Sequence, residues 1–229
     1  MTFLICKNKF LFVLTTMLLS LMFIALSLIS AAVLYKLVTG DTTKVIGQAE
    51  LQKAPWIVVI SLLLFWFIVP VIWRLFVEKI PFNKAGLSFG NKSILTWSGA
   101  IIISIFLGLM ASLGDSQSST NSTKSLLFII LSLLLIAITE EFIFRFFIAG
   151  RIEKIGGVIL AVLISSLLFT FFHLQAPVEN LIPYLIFVFG TGAYLSFLFF
   201  YFKNIWICVF AHWNINFISL VVPFQHLFK

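Results

Sequence analysis

Six intervals of this chain run for 20 or more residues without a single Lys, Arg, Asp or Glu: 10–35, 54–73, 93–114, 155–178, 180–202 and 204–228. An apolar helix crosses the hydrocarbon core of a bilayer in about 20 residues, and ionisable side chains collect at its edges because burying them in lipid is costly. Each interval can therefore span a membrane. A seventh segment, 125–150, has the same length and apolar character but contains Glu140, Glu141 and Arg145. All seven are continuous runs rich in Phe, Leu and Ile, without the period-2 alternation of lipid-facing barrel strands. The expected fold is all-α, a polytopic transmembrane helical bundle of about seven spans. The composition agrees: of 229 residues 62% are hydrophobic and 10% charged, whereas a soluble domain is about a quarter charged. A cytosolic enzyme and a secreted domain are both excluded.

The linkers are short (36–53, 74–92 and 115–124) and no internal repeat stands out. The chain reads as two N-terminal spans with a basic loop, 1–79, followed by a helical core, 80–229. Lys and Arg at the span ends set orientation. Nine lie on the side of the N-terminus, among them Lys7, Lys9, Arg74, Lys79, Arg151, Lys154 and Lys203, against five on the other. A cell-membrane protein with a cytoplasmic N-terminus and an external C-terminus is expected. The first segment exceeds the apolar core of a signal peptide, so it is expected to be retained as a helix. The net charge of +7 is explained by topology signals and anionic headgroups, and no basic stripe or RNA-binding motif points to nucleic acid. Cys6 and Cys208 form no CxxC and suggest neither a disulfide nor a redox role.

Ionisable groups inside a span are functional candidates. In Thr-Glu-Glu-Phe-Ile-Phe-Arg, residues 139–145, Glu141 and Arg145 are four apart on one helical face, acid before base, and can neutralise each other. Glu140 points about 100° away and has no local partner, so it is free to accept a proton. Its partner is expected to be His173, in Phe-Thr-Phe-Phe-His near the end of the fifth segment. In the seventh, Ala-His-Trp-Asn-Ile-Asn-Phe sets His212 and Asn216 on one face and Asn214 on another. These groups concentrate in segments four, five and seven. A carboxylate beside a histidine can deprotonate a water, and an Asn with a second His can stabilise an oxyanion. No Ser or Cys sits in a GxSxG-type nucleophile motif, although Ser165 and Ser166 stay open as alternatives. A packing network between helices would use the same residues without chemistry.

Glu140-Glu141-x-x-x-Arg145, Phe169-x-x-x-His173 and His212-x-x-x-Asn216, in that order on successive apolar segments, resemble the signature motifs of the CPBP family, which comprises CaaX prenyl proteases and Abi-type bacteriocin-processing enzymes. The resemblance covers about residues 80–220, including the loop Phe82 to Gly90 and the Gly190/Gly192 and Asn204-x-Trp206 stretches. It implies an intramembrane glutamic endopeptidase in which Glu140 and His173 activate water, His212 and Asn216 stabilise the oxyanion, and Glu141 with Arg145 plays a supporting role. The implied substrates are membrane-associated peptides or proteins, in CaaX-type processing or in bacteriocin maturation or immunity. No cofactor is expected. Glu140, His173 and His212 would also suit Zn²⁺ as a two-His, one-carboxylate set, but the usual HExxH helix is missing. A non-enzymatic scaffold or immunity protein that clasps a partner's transmembrane segment is the alternative, and a proton-coupled transporter is a third reading.

Depth is a further constraint. Counted at ~1.5 Å per residue from segment ends at Gly150 and Gly156, Glu140 lies roughly 15 Å and His173 roughly 25 Å into the bilayer. A late helix start after Gly156-Gly157, tilt, or irregular backbone before Pro177 would bring the two level.

Overall fold

The computed structural model describes residues 9–40, 55–81, 85–87, 94–114, 126–174 and 180–221. The linkers 41–54 and 115–124, most of the loop Phe82 to Gly90, Cys6, Pro177 and His226 lie outside them. Helix dominates and no strand occurs among the described residues. In chain order the elements are α1 (Lys9–Thr39), α2 (residues 55–77, with π-helical turns at Leu63–Ile68 and Trp73–Val77), α3 (Ile94–Gly114), α4 (Leu126–Glu141), a π-helical stretch (Phe142–Ala149), α5 (Gly150–Phe172), α6 (Leu181–Phe202) and α7 (Ile205–Val221).

The helices are built for lipid outside and for packing inside. Leu18, Leu28 and Ile29 of α1, Ile102 and Phe106 of α3, Ile159, Leu167 and Phe171 of α5, and Ile182 and Ile186 of α6 are exposed, as lipid-facing positions must be. Small hydroxyl residues turn inward instead: Thr16, Ser20, Ser27, Ser61, Ser104, Ser165, Ser166 and Ser196 are buried. Several satisfy themselves on their own helix, as Ser20 does by donating to the Thr16 carbonyl at 2.8 Å, which lets neighbouring helices approach closely. Others link helices. Trp66 Nε1 donates to Ser27 Oγ at 3.1 Å, joining α1 to α2, and Asn214 Nδ2 donates to Ser104 Oγ at 2.8 Å, joining α7 to α3. The protein is membrane-embedded.

α4, the π-helical stretch and the first residues of α5 form one unbroken helical rod that ends at Gly157. There φ is 75° and ψ 177°, a combination open essentially to glycine alone, and the chain doubles back. Ser165 Oγ then donates to the Phe144 carbonyl at 2.8 Å, and the Phe169 ring lies 5.2 Å from that of Phe144. The reversal therefore sits beyond Gly150, later than the charged residues 151–154 suggest. Measured from Gly157, Glu140 is 17 residues back and His173 is 16 forward, about 25 and 24 Å at 1.5 Å per residue. A shared turn thus places the two at the same depth.

The charged belt lies at this turn. Glu78, at the C-terminal end of α2, accepts hydrogen bonds from Arg74 and from Lys154, each at 3.2 Å, and from Arg151. Arg74 also donates to the Gly150 carbonyl at 3.1 Å, Arg151 donates to Thr16 of α1 at 3.1 Å, and Lys203 pairs with Glu153 at 3.3 Å. The start of α1 and the ends of α2 and α6 meet here. From Arg151 to Glu140 is 11 residues, about 16 Å, roughly half the ~30 Å thickness of a hydrocarbon core.

The fragment Ala85–Leu87 is a brace. Gly86 accepts from the Ile205 amide at 2.8 Å and Leu87 from Trp206 Nε1 at 2.9 Å, while Asn204 Oδ1 accepts from the Trp206 amide at 2.8 Å. Together they fix the start of α7, and so the height at which its polar residues enter the bundle.

Candidate active site

The two glutamates close α4 and lead directly into the π-helical stretch, in which every residue from Phe142 to Ala149 is buried. π-helical turns recur at functional sites. Glu141 and Arg145 pair as their spacing requires, at 2.9 Å, and both side chains are 0% exposed. Arg145 does more than neutralise its neighbour. Its second terminal nitrogen donates to the Gly192 carbonyl of α6 at 3.1 Å, and its guanidinium lies 4.4 Å from the centroid of the Phe169 ring. Gly192 is the residue that allows this approach: a Cβ there would stand 3.2 Å from Ser166 Cα and 3.3 Å from Phe169 Cδ1. Gly190, grouped with it on sequence grounds as a close-approach position, faces open space.

The same oxygen of Glu141 that receives Arg145 also accepts a hydrogen bond from His212 Nδ1, at 2.8 Å. The other ring nitrogen, Nε2, is 3.7 Å from Glu140 Oε2. Glu140 keeps 13% of its side chain exposed, and its Oε2 has no hydrogen-bond partner. The two adjacent carboxylates are thus sharply different. Glu141 is sealed and takes both of its bonds on one oxygen, its Oε2 being unpartnered like that of Glu140, whereas the Glu140 side chain is partly exposed.

His173 caps the end of α5, with φ −93° and ψ 3°. Its Nδ1 lies 2.8 Å from the Phe169 carbonyl, which can only accept, so Nδ1 is the donor in that bond. The sequence pairs His173 with Glu140. In the structure the histidine within 4 Å of Glu140 is His212, and His173 is turned onto Phe169, with ring centroids 4.5 Å apart. Phe169 separates the two histidines, its ring also lying 5.8 Å from that of His212. That spacing role, together with the contact to Arg145, explains physically why an aromatic stands four residues before His173. Asn216 follows His212 by one turn of α7, half-buried and on the same face.

Ser165 and Ser166 are fully buried and donate to the carbonyls of Phe144 and Val162. Cys208 is buried, with its thiol against the Leu195 carbonyl at 3.3 Å. Among the described residues no three His, Cys, Asp or Glu side chains gather as the ligands of a metal ion would. Sequence reasoning missed Gly192 as an acceptor and Glu141 as the partner of His212, since both arise only when helices meet.

Residues 122–218, about two fifths of the chain, match the family profile described as type II CAAX prenyl endopeptidase Rce1-like. The matched stretch contains Glu140, Glu141, Arg145, His173, His212 and Asn216 and excludes α1, α2 and α3. No curated protein and no solved structure matches the chain. The polar cluster in the bundle and the match around it coincide: residues 122–218 are similar to the Rce1-like type II CAAX prenyl endopeptidases.

Proposed function

We propose that the chain is a glutamic-type intramembrane endopeptidase that hydrolyses peptide bonds in membrane-associated peptides or proteins through a water activated by Glu140. The observation that carries this reading is the contrast between the carboxylates: Glu141 is fully buried and bonded to Arg145 and His212, while Glu140 is partly exposed and its Oε2 lies 3.7 Å from an imidazole nitrogen. A carboxylate in that state can take the proton of a water as it attacks a carbonyl. His173 would be the second acceptor for that water. His212 and Asn216 would serve the developing oxyanion. No metal takes part, and no step needs a cofactor. The substrate end of the reading is CaaX-type processing of a prenylated C-terminus, with maturation of bacteriocin-like peptides or immunity to them as the other member of the class. The belt around Glu78, Arg151 and Lys154 would face the cytoplasm, as would the N-terminus, because basic residues concentrate on that side.

The test is cleavage of a quenched peptide library, prenylated and unprenylated, by purified protein in detergent. Wild type is compared with Glu140→Gln, each with and without a chelator. The expected result is cleavage that Glu140→Gln lowers by at least about 10² and that the chelator spares. Equal cleavage by both proteins would refute the role of Glu140, and chelator loss restored by Zn²⁺ would refute the metal-free mechanism.

A further inference from the structure

His212 has one N–H when neutral, and the structure shows where it goes. Nδ1 lies 2.8 Å from Glu141 Oε1, the same fully buried oxygen that accepts from Arg145 at 2.9 Å, so that oxygen is the acceptor for the ring as well. The proton of His212 is therefore on Nδ1. Nε2, facing Glu140, has none, and in that state it cannot donate a hydrogen bond to an oxyanion.

We propose that Glu141 is a positioning residue for His212: it holds the Nδ1–H tautomer so that Nε2 meets the reacting groups as a proton acceptor and becomes a donor only after it has been protonated. The proton has a source on the page. As water adds to the scissile carbonyl, its O–H bond breaks, a C–O bond forms and the carbonyl electron pair becomes the oxyanion, while the proton goes to Glu140 Oε2. That carboxyl can pass it to His212 Nε2 once the 3.7 Å gap closes to hydrogen-bond length. The resulting imidazolium keeps Nδ1–H on Glu141 and presents Nε2–H to the oxyanion. When the C–N bond breaks, the same proton leaves with the amine. A carboxylate that orients an imidazole and stabilises its charged form performs this service in Ser-His-Asp hydrolases, and here the second of two consecutive glutamates would perform it for the first. The geometry also explains why one oxygen of Glu141 takes both bonds: Arg145 fixes the carboxylate, and the carboxylate fixes the ring.

The kinetic consequence rests on the peptidase reading, so the deciding measurement is one that needs no activity. The chain has three histidines. Labelling them with ¹⁵N in the full-length protein in detergent, with His173→Gln and His226→Gln to assign signals, reads the protonation of each ring nitrogen of His212. The expected wild-type result is a protonated Nδ1 and an unprotonated Nε2 at neutral pH. Glu141→Gln should retain that tautomer, because the amide oxygen can still accept, and Glu141→Leu should move the proton to Nε2. In the peptidase assay Glu141→Leu should lower kcat by about 10²–10⁴ with KM within about threefold, and Glu141→Gln should recover part of the loss. A wild-type Nε2 that carries a proton, in either the other tautomer or the imidazolium, would overturn the proposal. So would a folded Glu141→Leu protein with the tautomer unchanged. If that variant does not fold, the wild-type spectrum decides alone. A protein without peptidase activity but with the expected tautomer would defeat the functional reading and leave the role of Glu141 standing.

Discussion

Gly157→Ala tests the turn that brings the site to one depth, and its cost can be worked from two observations. The backbone there has φ 75° and ψ 177°, a region in which a Cβ costs about 1–3 kcal/mol. A Cβ built at Gly157 meets nothing within 4 Å, so no packing gain or clash adds to that figure. The expected loss is therefore conformational only, about 5- to 150-fold in the ratio of folded to unfolded protein at ~1.4 kcal/mol per tenfold. Asn should not rescue it. Asn is tolerated at positive φ mainly in the left-handed helical region, where ψ is near +45°, far from the value here. The assay is unfolding in mixed micelles of dodecylmaltoside and SDS, followed by tryptophan fluorescence and compared with Gly190→Ala as control. Gly190 also meets nothing within 4 Å but is an ordinary residue of α6, so alanine there should cost nothing. A Gly157→Ala protein as stable as the control would refute the argument that the reversal depends on glycine. A destabilised Gly157→Ala protein should also lose the Ser165–Phe144 bond, visible as faster amide exchange in α5.

Arg145→Met should destabilise by about 3–5 kcal/mol, because it strands a fully buried carboxylate. Combining it with Glu141→Leu should recover most of that loss, and additive losses in the same unfolding assay would show that the pair is not coupled. Gly192→Val forces α5 and α6 apart at a contact of 3.2 Å, costing about 1–3 kcal/mol. Since Phe169 is one of the atoms displaced, peptidase activity should fall by more than stability alone accounts for; a proportionate fall would count against Phe169 as the spacer of the two histidines. Glu78→Gln leaves Arg74 and Arg151, each 5% exposed, without their shared carboxylate, and should cost about 3 kcal/mol. Hydrogen exchange should then rise first in α1, which Arg151 ties to the belt through Thr16.

What could be read from the sequence was whatever depends on near neighbours. Charge-free intervals mark the helices because lipid imposes the same demand on every one of them. The Glu141–Arg145 pair was legible because i,i+4 spacing is decided within one helix, and the separation of Glu140 from it followed from the same geometry. The end of the fourth span was misplaced for an instructive reason. The charges at 151–154 read as a loop, yet Arg151 is buried among Thr16, Phe12 and Phe147, and the helix continues through it to the interface. The orientation of His173 and the bond from His212 to Glu141 depend on contacts between helices far apart in sequence. No local pattern encodes them. The π-helical stretch also left no periodic signal, since its eight residues are apolar on every face except at Arg145.

The hairpin of α4 and α5 also bears on how such a protein can be made safely. Glu140, Glu141, Arg145 and His173 all belong to that one hairpin, and His212 and Asn216 belong to α7, the last of the described helices to emerge from the ribosome. A nascent hairpin brings its own counter-ion, so the costliest charge in it is already cancelled when it enters the membrane. It does not yet hold a complete site. If the site acts as proposed, a half-inserted chain would be an inert hairpin among other membrane proteins being synthesised until α7 arrives and its imidazole bonds Glu141. On the proposed roles, hydrolytic competence would come only when α7 packs against the hairpin, and quality control of these helices and control of activity would be a single event.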